Sequence, residues 1–240
     1  MGTIYYVKTD GNNSNSGTSW SEAKLTLQAA LDLAVSGDQI WVKEGIYKPS
    51  YDYGLGGGSR YFHFRLKNGV SLFGGFGGSE PSNYDLSLRN FIDNETILSG
   101  DIGTPSVTTD NCYHIFYHPT GSALNNTAIL DGFTIRDGNA NGTAPHLYGG
   151  GFYSNNSSPY IKNIKFIDNY ANWSGGGIFL TSCTSFKIEN CEFRNNKVVD
   201  YYGGGLYMNS STVNLINSLF TGNEAMTISG VLYTQQEHLR

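Results

Sequence analysis

Residues 149–153 read Gly-Gly-Gly-Phe-Tyr, and the same pattern returns as Gly-Gly-Gly-Ile-Phe at 175–179 and as Gly-Gly-Gly-Leu-Tyr at 203–207. The three glycine triplets lie 26 and 28 residues apart, and each is followed by an apolar and then an aromatic residue. A nearly fixed period of this length is typical of a chain built from stacked supersecondary units.

A second motif, Phe-x-x-Asn, occurs between the triplets and repeats every 27 residues, at Phe166–Asn169, Phe193–Asn196 and Phe220–Asn223. Around it, apolar residues such as Ile161 and Ile164 alternate in short runs broken by Gly, Asn and Ser, which is a strand pattern without helical spacing. We therefore predict that each period is one coil of a solenoid, with equivalent residues stacked about 4.8 Å apart.

Stacking at this period places like residues in columns. The phenylalanines of the motif are predicted to fill the interior. The asparagines are predicted to form a tight corner, where Asn tolerates the left-handed conformation and each side-chain amide bonds to the next. Lys162 falls over Glu189 and Lys165 over Glu192, so these charges are predicted to pair on the solvent face.

The GGG-[FIL]-aromatic and FxxN motifs resemble those of right-handed parallel β-helix proteins of the pectate-lyase-like superfamily. More narrowly, they are similar to repeats of bacterial secreted and surface β-helix proteins, including the chlamydial polymorphic outer-membrane proteins. The resemblance covers nearly the whole chain and implies an all-β, right-handed, single-strand parallel β-helix. It implies no single function, because such β-helices serve as polysaccharide lyases, hydrolases, adhesins and stalks.

The composition agrees with a turn-rich all-β chain: of 240 residues, 31 are glycine, 39% are hydrophobic and only 15% are charged. The net charge of −5 argues against nucleic acid and anionic membrane surfaces as partners. No apolar run has the length of a membrane span, and no signal-peptide pattern precedes Tyr5. We expect a secreted or cell-surface bacterial protein, with the signal peptide absent from this chain.

We expect a single β-helix domain with successive sections. These are an N-terminal entry with a capping helix (1–39), irregular coils with long loops (40–135), regular coils (136–223), and a degenerate last coil with a tail (224–240).

The N-terminal section contains the one helical pattern. Apolar residues at i, i+3, i+4 and i+7 from Leu27 predict a short amphipathic helix at 27–35, capped by Thr26 and lying across the open end of the solenoid. The first coil is predicted to begin at Ile40. Tyr61–Leu66 and Cys112–Tyr117 are predicted as strands of the irregular coils.

Two groups of residues are candidate metal ligands. Asp10, Asn12 and Ser14 have the spacing of a calcium loop, but the closing acid is missing because the twelfth position is Ser21; a stack of Asx turns is the alternative. His114 and His118 are four apart on a predicted strand, without an identifiable third ligand, and ordinary wall histidines are the alternative. No other cofactor is expected.

The candidate catalytic residues are Arg136, Asp137 and Asp168, which the register brings near one corner. Asp168 aligns with Asn195 and then Gly222, so no acidic stripe continues along the solenoid. Surface hydrogen bonding is the alternative role for the three side chains.

The candidate ligand-binding residues lie in the loops between each FxxN motif and the next triplet, which are predicted to emerge from one edge. They are His146, Tyr148, Tyr170, Trp173, Asp200, Tyr201 and Tyr202. Rings with polar neighbours suit the apolar faces and hydroxyl rims of sugars. A further column, Tyr153, Phe179 and Tyr207, either joins this surface or packs in the core. Strand alternation leaves that choice open, with Phe152, Ile178 and Leu206 as the opposite face.

Two functions follow from these observations. The first is a non-catalytic module that binds a polysaccharide or a host or cell-surface glycan, or serves as an adhesin or stalk. The second, which rests on the resemblance, is a calcium-assisted polysaccharide lyase or a glycoside hydrolase acting on a plant or microbial polysaccharide.

The C-terminal pattern decays at Ser229-Gly230-Val231, where a fourth triplet is due, and no capping helix follows. We therefore expect end-to-end association through residues 224–240, or continuation into a longer β-helix.

Overall fold

The computed structural model describes residues 2–226 and the backbone of residues 232–235. Within them the strands form four sheets, here called sheets A to D, and every strand pair is parallel. Sheet A contains Ile4–Val7, Gln39–Lys43, Ser71–Phe76, Ile129–Asp131, Tyr160–Lys162, Phe186–Glu189 and Val213–Ile216. Sheet B contains Gly45–Tyr47, Thr96–Ser99, Thr134–Arg136, Lys165–Ile167, Glu192–Arg194 and Leu219–Thr221. Sheet C contains Phe116–His118, Phe152–Asn155, Ile178–Thr181, Leu206–Asn209 and Leu232–Gln235. Sheet D contains Asn139–Ala140, Tyr170–Ala171, Lys197–Val198 and Glu224–Ala225.

Each regular coil visits the sheets in the order A, B, D and C. The predicted register is confirmed, since Ile161 pairs with Ile188 and Phe166 with Phe193. Sheet C absorbs the unequal triplet spacing, because Ile178 pairs with both Phe152 and Leu206. The architecture is therefore the predicted parallel β-helix. Sheet D was not predicted: its two-residue strands occupy segments that sequence analysis assigned to loops.

The phenylalanine column fills the interior, as predicted. Phe166 and Phe193 are fully buried, with ring centroids 5.0 Å apart and planes 9° apart. Phe193 and Phe220 follow at 4.4 Å and 2°. Such parallel stacking is possible because strand pairing holds successive rings at the spacing of the backbone.

The asparagine column differs in one respect from the prediction. The left-handed residues are those one position earlier, Asp137, Asp168, Asn195 and Gly222, with φ of 66°, 54°, 55° and 63°. Asn169 and Asn196 follow that turn and point inward, where they are 1% and 0% exposed. The predicted amide ladder is confirmed: Asn169 Nδ2 donates to Asn196 Oδ1 over 3.0 Å.

The glycine triplets lie between the strands of sheets D and C, where their backbone packs against the asparagine ladder. Gly175 requires a left-handed conformation, with φ of 69°. Gly177 is needed for a different reason, because a Cβ there would lie 2.5 Å from the carbonyl oxygen of Gly205 in the next coil. The coils therefore pack backbone to backbone at this point, beside the asparagine ladder.

The N-terminal helix is confirmed and spans Leu27–Leu33, with the Thr26 side chain accepting a hydrogen bond from the Ala29 amide. Its buried face joins the N-terminal end of the main core. The first coil begins earlier than predicted, since Ile4–Val7 already pairs with Gln39–Lys43. Sequence analysis missed this strand because it precedes the repeats.

The irregular coils contain less strand than predicted. In the segment 61–66, only Phe64 makes an isolated bridge, to Phe116, and the segment 112–117 forms a strand only from Phe116 onward. Single 3-10 turns lie at Ser59–Tyr61, Leu86–Leu88 and Thr108–Asp110. The predicted section boundaries stay predictions.

A buried ion pair fastens the long loop after sheet A strand Ser71–Phe76. Arg89 is 9% exposed, and its guanidinium donates to the Asp131 carboxylate over 2.7 Å. Lys162 also pairs with Asp131, at 3.3 Å. The predicted partner of Lys162 was Glu189, which is indeed its strand neighbour. The ammonium instead contacts the preceding coil, where the more buried carboxylate lies.

The predicted partner of Lys165 is also corrected. Lys165 is aligned with Glu192, but its ammonium lies 3.1 Å from Glu95, which belongs to the coil two before its own. Glu192 instead pairs with Arg194 on its own strand.

The predicted association through residues 224–240 falls largely outside the described residues. The strands Glu224–Ala225 and Leu232–Gln235 extend sheets D and C by one coil.

We predict that Phe193→Ala lowers the free energy of unfolding by about 3–5 kcal/mol, because it leaves a ring-sized cavity between two stacked rings. Urea denaturation measures the effect. Arg194→Ala on the same strand, whose side chain is exposed, is the matched control and should cost about 1 kcal/mol or less. Equal midpoints for the two variants would contradict the assigned register.

Candidate functional site

A cleft of about 420 Å³ opens beside the turn that precedes the asparagine ladder. It is lined by Thr108, Thr109, Asn111, Asp137, Gly138, Asn139, Asn141, Asp168 and Tyr170. Two of the three catalytic candidates, Asp137 and Asp168, thus line one cleft from successive coils. The third, Arg136, lies beside it, with its Nε 3.3 Å from the Asp137 carboxylate.

The two aspartates have different surroundings. Asp137 is held in place, since it accepts a 2.7 Å hydrogen bond from the Ser99 hydroxyl in addition to the contact with Arg136. Asp168 is exposed and makes no ion pair or side-chain hydrogen bond with the residues that the structure describes. Asp168 is therefore the carboxylate open to a ligand.

Asn111 and Asn139 complete the wall, and sequence analysis missed both. They are 4% and 7% exposed. Asn111 Nδ2 donates to the Asp137 carbonyl over 2.8 Å, and Asn139 Nδ2 donates to the Thr108 carbonyl over 2.5 Å. A carbonyl only accepts, so these contacts fix both amide orientations. Each Oδ1 is left buried, with no hydrogen-bond partner among the described residues.

No repeat pattern marks Asn111, because it belongs to the irregular loop after residue 100. Asn139 aligns with Tyr170 and Lys197 in the following coils. Because these three residues are chemically unlike, their alignment gives no sequence pattern that marks Asn139.

An aromatic strip follows the cleft along the same edge, and we define it as Tyr148, Trp173, Tyr201 and Tyr202. Trp173 and Tyr201 are 38% and 43% exposed, with ring centroids 5.1 Å apart. Tyr148 meets Trp173 edge-on at 5.6 Å, and Tyr202 meets Tyr201 at 6.0 Å. Backbone bridges from Ser174 to Tyr148 and Tyr202 hold the strip in successive coils.

The structure shows which face of the sheet C strands points into the interior. Phe152, Ile178 and Leu206 face the interior and are fully buried. The opposite face carries Tyr153, Phe179 and Tyr207, a separate cluster of stacked rings that are 6–8% exposed. Tyr148 and Tyr202 pack over it. This column therefore supports the strip and is itself largely shielded from solvent.

Tyr170 connects the cleft with the strip. It lies three residues before Trp173, which corresponds to about 10 Å of extended chain. Its hydroxyl donates to Asn172 Oδ1 over 2.9 Å. Burial and, second, the nearby charge of Asp200 raise the pKa of the Tyr170 hydroxyl. The backbone amide of Asp200 donates to the Asn172 carbonyl over 2.8 Å, so Asp200 lies at the same edge, one coil further along.

His146 is brought together with other histidines and not with the strip. It is 7% exposed, stacks on Tyr113 at 5.3 Å, and lies 2.8 Å from the Nε2 atom of His114. His114 Nδ1 donates to the Gly149 carbonyl over 2.8 Å, so its Nε2 accepts from His146. His146 thus anchors its loop, and its ring is withdrawn from the surface.

The histidine pair predicted as a metal candidate does not meet at one site. His114 contacts His146, whereas His118 lies against Phe152, with ring centroids 5.0 Å apart. The two histidines therefore have separate surroundings. Groups of three or more His, Cys, Asp or Glu with metal-binding geometry do not occur in the described residues.

The N-terminal calcium candidates, Asp10, Asn12 and Ser14, lie in a loop whose backbone carbonyls bind the ammonium of Lys24. The Asx turn is present, since the Ser14 amide donates to Asn12 Oδ1 over 2.9 Å. Asp10 pairs with Lys8 at 3.6 Å. The Lys24 ammonium donates to the backbone carbonyls of Asn13 and Asn15, so these oxygens are engaged by a protein cation.

Two buried histidines, His63 and His146, predict a pH dependence of the stability. Burial lowers the pKa of His63 and of His146 to about 4, compared with 6.5 for a free histidine. Between these values the unfolded chain binds more protons than the folded chain, so the free energy of unfolding should fall as pH is lowered from 6.5 toward 4. Urea titrations at pH 7, 6 and 5 measure this slope. His63→Gln and His146→Gln should flatten it, and an unchanged slope in the double variant would contradict the assignment.

Of the comparisons with known proteins, the match to a family model agrees with this fold. No curated protein is significantly similar to the chain. A solved structure described as a rhamnogalacturonan lyase is similar over 99% of this chain, with 16% sequence identity and a TM-score of 0.48, and the chain spans 62% of the length of that protein. No helix in the described residues is long and apolar enough to cross a membrane. The family model for the right-handed beta helix region matches residues 86–239, well over half of the sequence. The chain belongs to the right-handed β-helix family.

Proposed function

We propose that this chain is a glycan-binding β-helix module that acts outside the cell or at its surface. One observation carries the proposal: Trp173 and Tyr201 expose adjacent rings on successive coils, beside a polar cleft. Large apolar rings are normally buried, and exposed clusters of them mark binding sites.

The chemistry of the edge suits a sugar. Aromatic faces pack against the apolar C–H patches of sugar rings, and nearby amides and carboxylates bind hydroxyl groups. The strip supplies the rings, and the cleft supplies the amides and carboxylates. Strand pairing and the buried column of Tyr153, Phe179 and Tyr207 fix the positions of the rings before a ligand arrives.

A glycoside hydrolase is the second candidate function. The observation that favours it is that Asp137 and Asp168 line one cleft from successive coils, since glycosidases use paired carboxylates. Binding without catalysis is supported better, because Asp137 already has Ser99 and Arg136 as partners. A polysaccharide lyase would also need a catalytic base. The Arg136 side chain beside the cleft is already paired with Asp137.

We predict that Trp173→Ala and Tyr201→Ala each weaken glycan binding at least about tenfold, as expected for aromatic anchors. The melting temperature should stay within a few degrees, because exposed side chains contribute little to folding. Retardation in gels that contain neutral or acidic polysaccharides measures the binding. Tyr51→Ala, which removes a 50% exposed ring elsewhere, is the matched control and should bind like the unaltered protein. Retention unchanged in both strip variants would contradict the proposal.

The catalytic alternative has its own test. The protein is incubated with a panel of uronate and neutral polysaccharides, with and without EDTA. The proposal predicts neither new reducing ends nor double-bond absorbance. Either product, lost in Asp168→Asn, would establish the enzyme instead.

A further inference from the structure

The rings of the aromatic strip are tilted relative to one another. Trp173 and Tyr201, its two most exposed side chains, have ring planes inclined at 54°. The ring of Tyr148 is turned by 85° from that of Trp173, and the ring of Tyr202 by 62° from that of Tyr201. None of these three neighbouring pairs of rings lies in one plane.

The buried column behind the strip shows how regular stacking orients aromatic rings. Tyr153 and Phe179 have ring planes 10° apart, and Phe179 and Tyr207 have ring planes 8° apart. Strand pairing holds these residues at one register position from coil to coil. Rings stacked in this way face each other, so they would offer a ligand only their edges.

The strip departs from such stacking because its loops differ in length. Five residues, 170–174, separate the asparagine ladder from the glycine triplet in one coil, and six residues, 197–202, separate them in the next. Backbone pairing of Ala171 with Val198 is followed by the bridge from Ser174 to Tyr202. Trp173 and Tyr201 lie between these pairs, where the extra residue is accommodated and the rings tilt.

The tilt limits which ligand can contact both exposed rings. A sugar stacks with its apolar face flat against an aromatic face. In a crystalline polysaccharide, neighbouring sugars present their apolar faces in one common plane, and such a plane cannot lie flat against two rings inclined at 54°. In a single glycan chain, rotation about the glycosidic bonds turns each sugar relative to the next, so adjacent sugars can follow both rings.

We infer that the strip binds a single, twisted glycan chain and discriminates against the flat surface of a crystalline polysaccharide. Two neighbouring sugars of the chain stack on Trp173 and Tyr201, whose ring centroids are 5.1 Å apart. This inference rests on the proposed function, and it specifies the physical form of the glycan that the strip takes.

The test uses cellulose, chitin and mannan, each as microcrystalline particles and as amorphous particles of the same material. Binding isotherms are measured by depletion of the protein from solution. The affinity for the amorphous form should be at least about tenfold higher, because a crystalline face leaves one aromatic anchor without a sugar. Equal or higher affinity for the crystalline form would overturn the inference and leave glycan binding intact.

Variants of the two exposed rings show how many of them contact each form. On the amorphous form, Trp173→Ala and Tyr201→Ala should each lower the affinity at least about tenfold. On the crystalline form, one of the two should have no effect, because only one ring can lie on a flat surface. Tyr51→Ala, which removes an exposed ring elsewhere, should bind both forms like the unaltered protein. Equal losses in both strip variants on the crystalline form would contradict the inference.

Two further outcomes separate the inference from the proposed function. Retardation by a soluble polysaccharide in the gels, without binding to crystalline particles, supports the inference whichever sugar the chain contains. If neither the gels nor the particles show binding, the proposed function fails together with the inference.

Discussion

The buried asparagine ladder is the interaction on which the regular part of this solenoid depends. Asn196 accepts from the backbone amide and the side chain of Asn169, and it donates to Asn223 and to the Phe166 carbonyl. One fully buried side chain thus serves both neighbouring coils. Each polar group in that interior position costs free energy unless it is paired, so the coils are bound to a single register. A slip by one residue would leave every member of the ladder without its partner.

The ladder also determines where the candidate site lies. The residue before each inward-facing ladder position is left-handed, and in two successive coils it is an aspartate: Asp137, which precedes Gly138, and Asp168, which precedes Asn169. Directly after the ladder, the chain runs outward through sheet D to Tyr170 and Trp173 before the glycine triplet returns it to sheet C. The cleft and the aromatic strip are therefore consequences of one corner. The rigid backbone packing of the triplets holds that corner while its outer side chains vary from coil to coil.

Much of this could be predicted from the sequence, and the limits have physical causes. The period predicted the fold, the phenylalanine column and the amide ladder, because stacked coils place chemically equal residues in equal environments. The pattern could not tell which face of Tyr153 and its neighbours is buried, because both strand faces are apolar there. Asn111 and Asn139 were missed because the cleft is built partly from a loop outside the repeat. The withdrawal of His146 was also hidden, since it depends on a contact with His114 far away in the chain.

The most direct test of this account compares two asparagines of the same repeat by urea denaturation. Asn196→Ala removes a buried member of the ladder and leaves several buried groups unpaired, each worth about 1–3 kcal/mol. Asn190→Gly removes an exposed asparagine that donates to Asn163 and accepts from Asn217, and glycine accepts its left-handed φ of 52°. The account predicts that Asn196→Ala lowers the free energy of unfolding by more than about 3 kcal/mol, and Asn190→Gly by about 1 kcal/mol or less. Equal losses in the two variants would contradict it.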